Sequence, residues 1–135
     1  MNELKTKSEF NENAAKLLID NYLYAPSINC SYYSCYQFFK HIWLDKMQKT
    51  EEEFSLKDKS TNEGSHVLLY KLVLNYLEPI ATDNRTIREI RNNVFQLKKV
   101  RTDADYTTKE IDSKISNDCL NLKDQIIRNL KDLIK

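Results

Sequence analysis

Glycine is nearly missing from this chain: there is one, with two prolines, in 135 residues. Hairpins, bulges and tight turns draw on those two residue types. Their scarcity disfavours a sheet-rich fold and favours long uninterrupted elements. No apolar run approaches the roughly 20 residues needed to span a bilayer. The opening segment MNELKTKSEFNEN has no apolar core of the signal-peptide kind. Cysteine is sparse too. Cys30, Cys35 and Cys119 make an odd count with no CxxC and no Cys/His ligand spacing. Cys30 and Cys35 stand five apart in a helical stretch, a poor separation for a bridge. These absences argue against a membrane span, a disulfide framework and a metal set. They point to a cytoplasmic chain whose thiols are reduced and serve as small hydrophobes. There is also no glycine-rich phosphate loop and no Ser/His/Asp arrangement, so no cofactor is expected.

What is present is the material of amphipathic helices: Lys, Glu, Asp, Asn and Leu in abundance. The length fits one domain, residues 1–135, with enough chain to bury a core. Net charge is +1, which by itself requires no nucleic acid. Its distribution is uneven, because residues 1–82 carry 9 basic and 11 acidic side chains and residues 83–135 carry 12 and 9. The C-terminal portion is thus mildly basic. That permits RNA contact and is equally compatible with a solvated helix face.

Periodicity divides the chain into five helical stretches, with no internal repeat. The first runs from about Ser8 to Leu23, with Phe10, Ala14, Leu17 and Leu18 expected on its inner side. Pro26 marks a helix start, and the second stretch continues to about Lys49. Its apolar groups recur at Ile28, Tyr32, Cys35, Phe39, Ile42 and Trp43, a 3.6-residue period. Tyr33 and Phe38 fall off that face, so the helix is apolar over much of its girth and should be central or shared with a partner. Residues 50–63 read as an exposed polar loop. A third helix starts at Gly64 and Ser65 and ends at Pro79. A fourth spans about Asn84 to Ala104, burying Ile87, Ile90, Val94 and Leu97. Thr107 and Glu110 have the spacing of a capping box opening the fifth helix. Together these predict an all-α, antiparallel up-and-down bundle of four to five helices.

One residue breaks the pattern. Arg101 projects between Leu97 and Ala104, within the apolar stripe of the fourth helix, and Asp105 follows one turn later on the same side. A guanidinium does not give up its proton, so its burial requires a partner, and an acid at i+4 is within reach. Two arrangements satisfy this. In one, Arg101 lays its stem on the core and its head in water. In the other, Arg101, Asp105 and Tyr106 meet in a polar cleft where Arg101 holds a phosphate and Asp105 orients it. The aromatic run SYYSCYQFF, Ser31 to Phe39, is mostly core by its spacing, but buried tyrosine hydroxyls want partners. Tyr33, off the main stripe, is the one to place near a ligand or a seam.

The segments SYYSCYQFFKHI, GSHVLLYKLV and RTDADYTTKEID, in this order before a long last helix, resemble the HEPN domain (higher eukaryote and prokaryote nucleotide-binding). The likeness covers roughly residues 8–134 and is nearest to a small prokaryotic branch with an Arg-x-x-Ala-Asp-Tyr core. It implies a helical bundle that forms a homodimer. It also implies a toxin–antitoxin or defence setting, sometimes with a minimal nucleotidyltransferase as partner, and often metal-independent ribonuclease activity. The family's ribonuclease signature is an arginine followed after four to six residues by a histidine. Arg101 matches the arginine, but Tyr106 stands in the histidine slot. A phenol with a pKa of about 10 is a poor base at neutral pH.

No histidine follows His66 in the chain. The expected function is therefore a HEPN-like module that binds RNA, a nucleotide or a protein partner. Arg101, Tyr106, Tyr33, Arg91 and Lys98 are the candidate contacts, and Arg88 flanks the same helix. The alternative is a ribonuclease in which Arg101 acts with Asp105 or His66. His66, at the start of the third helix, is equally compatible with a surface or capping role. His41 reads as structural.

Overall fold

The computed structural model describes residues 3–135, and among them there is helix but no strand. Its α-helices are α1 (Glu3–Asp20), α2 (Tyr24–His41), α3 (Glu51–Lys59), α4 (Ser65–Leu77), α5 (Asn84–Tyr106) and α6 (Ser113–Leu133). α2 runs on through one wide π turn, Ile42–Lys46. Among the described residues no helix is long and apolar enough to cross a membrane.

α2 is the axis of the fold. Ile28, Tyr32, Cys35, Phe39, Ile42 and Trp43 are all buried, and so is Phe38 on the adjoining face. α1, α4, α5 and α6 all pack against this helix, which accounts for an apolar girth wider than one stripe. α1 folds back on α2 through three residues, 21–23. α6 runs alongside α2 in the same sense: Ser116 Oγ donates to the Tyr24 carbonyl near one end, and the Lys131 ammonium sits over the Phe38 ring near the other. α5 and α6 run antiparallel, with Asn93 bonded to Gln125 midway along both.

The α1–α2 contact differs from expectation. Phe10 and Leu17, placed inward from the sequence, are 65 % and 64 % exposed, while Ser8 and Ala15 are the residues buried. Small side chains decide this. α2 presents Ser27, Ser31 and Ser34, all fully buried, and a helix can approach such a surface closely. Ser8 Oγ donates to the Ser34 carbonyl at 2.6 Å, and Ser34 Oγ returns a bond to the Ser8 carbonyl at 2.8 Å. Rotating Phe10 inward would break that reciprocal pair and overfill the seam.

The expected loop at residues 50–63 contains α3. Thr50 and Glu53 form a full capping box, and Phe54 closes edge-on against Trp43, whose indole N–H donates to the Thr50 carbonyl at 2.9 Å. The capping box expected at Thr107 and Glu110 is absent. Thr107 instead ends α5, its hydroxyl donating to the Asp103 carbonyl. α6 opens at Asp112, whose carboxylate accepts from the Ile115 N–H. Of the two T-x-x-E signatures, the one at Thr50 starts a helix and the one at Thr107 follows the end of one.

Lys123 is a second surprise. It lies on α6 among Cys119, Ile126, Ile127 and Leu130, and it is 0 % exposed. Its ammonium is paired with Glu12 of α1 at 2.6 Å and with its neighbour Asp124. Burial draws the Glu12 carboxyl upward, but Lys123 and Lys16 together carry it below the usual value. The pair ties α1 to α6.

Candidate functional site

α4 begins at Gly64, the chain's single glycine, with φ +91° and ψ 144°. That backbone region is open essentially to glycine alone, and it turns the chain so that Ser65, His66 and Val67 form the first helical turn. Their N–H groups precede the first intrahelical bond, which Leu68 makes to Gly64. α5 passes opposite. Between the two lies a hollow of about 190 Å³, lined by Glu63, Gly64, Ser65, His66, Val67, Lys98 and Arg101.

Arg101 is held from several sides. Its Nε donates to Asn29 Oδ1 at 3.2 Å and lies 3.3 Å from Asp105 Oδ2. Its Nη2 donates to the Tyr33 hydroxyl at 3.3 Å. The guanidinium carbon also sits 5.2 Å from the Tyr32 ring centre and 5.3 Å from that of Tyr33, within cation–π range. The arginine is thus neither snorkelling freely nor fully buried. It is clamped at the rim of the hollow with part of its fork still available.

His66 is fixed from behind. The Tyr70 hydroxyl donates to the Tyr32 oxygen at 2.5 Å, and the Tyr32 hydroxyl lies 2.8 Å from His66 Nδ1. Tyr32, accepting from Tyr70, has its own hydrogen available for Nδ1, an arrangement that puts the imidazole proton on Nε2. Burial, then the charges of Arg101, Lys98 and Lys40, hold the His66 pKa below its ordinary value. Burial raises the hydroxyl of Tyr32, to about 12, and also those of Tyr36 and Tyr70. The tyrosines therefore stay protonated, and the histidine is a neutral N–H donor beside a guanidinium and an ammonium. An anion would find donors on several sides there.

The structure brings His66, Arg101, Lys98, Asp105 and Tyr33 into one neighbourhood. Tyr106 is elsewhere: it is 75 % exposed at the end of α5 and does not line the hollow. Arg91 lies seven residues before Lys98, about two helical turns away, outside the hollow. Asn29, Tyr32, Tyr36 and Tyr70 were not singled out as site residues from sequence. Tyr32 reads as core, and nothing local marks which buried hydroxyls will meet. The three cysteines are unpaired; burial raises the thiol pKa of each, that of Cys119 to about 11. Among the described residues no group of three or more His, Cys, Asp or Glu side chains is arranged to hold a metal ion.

No family model, no curated protein sequence and no solved structure matches this chain.

Proposed function

We propose that the chain is a HEPN-like helical module that binds the phosphate of a nucleotide or of RNA in the hollow between α4 and α5. The observation that carries this is the convergence of Arg101, Lys98 and His66, from two helices, around the unbonded first-turn N–H groups of α4. Arg101 is the principal phosphate contact, positioned by Asp105, Asn29 and Tyr33. Lys98 adds charge, and His66 adds a neutral donor. The helical architecture suits the resemblance, and that resemblance extends the proposal to a homodimer in a toxin–antitoxin or defence setting, with a minimal nucleotidyltransferase as a candidate partner.

Binding is preferred over catalysis for a specific reason. A general base must offer a lone pair, and the Tyr70–Tyr32–His66 chain leaves His66 with a hydrogen on the nitrogen free to meet a ligand. The ribonuclease reading is favoured by one fact only: His66 lines the same hollow as Arg101 and so supplies the imidazole that Tyr106 does not. It requires the opposite tautomer, with Tyr32 accepting from Nδ1.

One experiment separates these readings. Wild type, Arg101→Gln and Lys98→Ala, each shown folded by circular dichroism, are titrated with single-stranded RNA and inorganic phosphate, and incubated with RNA in EDTA. Binding that Arg101→Gln abolishes and Lys98→Ala weakens, with the slope of log affinity against log salt reduced by about 0.7 for single-stranded RNA, supports the module. Cleavage that disappears with Arg101→Gln would replace binding with catalysis. Affinity untouched by both substitutions would remove the hollow from consideration.

A further inference from the structure

Tyr33 and Tyr36 have a second side. Beyond the ring cluster that backs His66 lies a groove of about 440 Å³ between the start of α1 and α2, walled by Tyr33, Tyr36, Gln37 and Leu44. Tyr33 is the partition between the two hollows: its hydroxyl accepts from Arg101, and its ring meets that of Tyr36 edge-on at 5.9 Å. Tyr36 in turn lies 4.1 Å from the His66 ring. One tyrosine side chain, Tyr33, therefore joins the Arg101 contact to the wall of the groove.

We infer that this groove is a nucleobase subsite, so that the two hollows together take one nucleoside phosphate unit, base in the tyrosine groove and phosphate at Arg101. The inference rests on the phosphate reading above and adds the part of the ligand that reading leaves open. Lys40 and Glu51 in the groove are paired to each other at 2.9 Å. The tyrosine rings beside them suit any flat base. Gln37 supplies a polar handle. Its Oε1 accepts from Asn11 Nδ2 at 2.7 Å, so its amide N–H groups are the donors it can offer an acceptor edge of a base.

The shared chemistry is a nucleoside monophosphate, supplied either as a free nucleotide or as one unit of an RNA strand. Calorimetric titration of the whole chain uses inorganic phosphate, ribose 5-phosphate, the four nucleoside 5′-monophosphates and a single-stranded hexaribonucleotide. The variants are Tyr36→Leu and Gln37→Leu, with Arg101→Gln as control. A nucleoside monophosphate should bind about tenfold or more tighter than ribose 5-phosphate, from stacking. Gln37→Leu should reduce that margin and leave phosphate affinity in place; Tyr36→Leu should erase the margin, and because its ring packs on His66 its phosphate affinity is measured alongside.

Equal affinity for nucleotide and ribose phosphate in the wild type, with Arg101-dependent phosphate binding intact, would overturn the subsite and spare the phosphate site. A margin that survives both groove substitutions would also overturn it, by placing the base elsewhere. Silence from every probe would bring down both. A hexanucleotide that binds tighter than any monomer, still dependent on Tyr36, upholds the subsite and names a strand as its source. Equal affinity upholds it for a free nucleotide.

Discussion

The Tyr32 hydroxyl lies 2.8 Å from His66 Nδ1, and this bond decides what the histidine is able to do. Tyr70 donates to the Tyr32 oxygen, which leaves the Tyr32 hydrogen available for Nδ1, so a core hydroxyl pair bears on the tautomer of a residue that lines the hollow. Tyr32→Phe would free Nδ1 to choose its hydrogen, while Tyr70 would lose its acceptor in the core.

The pH dependence follows from His66. Its folded pKa is lowered from 6.5, so below about 6.5 the unfolded chain takes up a proton that the folded chain refuses. Stability from this group is fully present above 6.5 and is lost as pH falls from there to the folded value. The urea midpoint should drop between pH 7.5 and pH 5.5. The drop should be smaller in His66→Gln, which cannot titrate; equal drops would assign the effect to other groups.

Gly64 is held at φ +91° with nothing within 4 Å of where a Cβ would stand. Gly64→Ala therefore meets no steric clash and still costs about 1–3 kcal/mol, from backbone conformation alone. Thermal denaturation measures that cost. Phosphate affinity should fall with it, because the turn aims both His66 and the first N–H groups of α4.

Lys123 gives a contrast between two substitutions. Lys123→Ala empties a fully buried position and takes its main partner from Glu12, so a loss of about 2–5 kcal/mol, mostly from the cavity, is expected in chemical denaturation. Lys123→Met keeps the volume. Glu12 is one-third exposed and can recover water, so this variant should lose clearly less. Equal losses would mean that the ion pair, and not the packing of the lysine stem, holds α1 to α6.

In the serine seam, Ser31 Oγ is the one buried side-chain oxygen or nitrogen without a hydrogen-bond partner among the described residues. Ser31→Ala removes an unsatisfied hydroxyl with little change of volume and should be neutral or mildly stabilising. Ser34→Ala breaks a bond to the Ser8 carbonyl and should cost about 1 kcal/mol. Urea midpoints of the two variants should move differently.

Trp43, the only tryptophan, reports on α3. Phe54→Ala removes the ring that closes on the indole, at a cost of about 3 kcal/mol. Tryptophan emission should shift to the red as water reaches the ring. An unshifted spectrum would mean that Trp43 is covered without α3.

The sequence by itself determined the helical class and the interior of most of the long helices. Ile28 to Trp43 in α2 and Ile87 to Leu97 in α5 announce their inner faces because apolar side chains recur with the helical period, and periodicity is a local property. It also exposed Arg101 as out of place, with Asp105 one turn on. Tertiary structure alone decided the rest. Phe10 and Leu17 face outward because a serine seam, formed from residues 26 apart at Ser8 and Ser34, wins the inner side of α1. Lys123 is buried because Glu12, more than a hundred residues away in the chain, comes to meet it. His66 lines the same hollow as Arg101 because α4 starts, at one glycine, opposite α5, and its tautomer is linked to two buried tyrosines. Periodicity tells each helix which side is apolar, but polar partners are chosen by which faces the packed helices finally bring together.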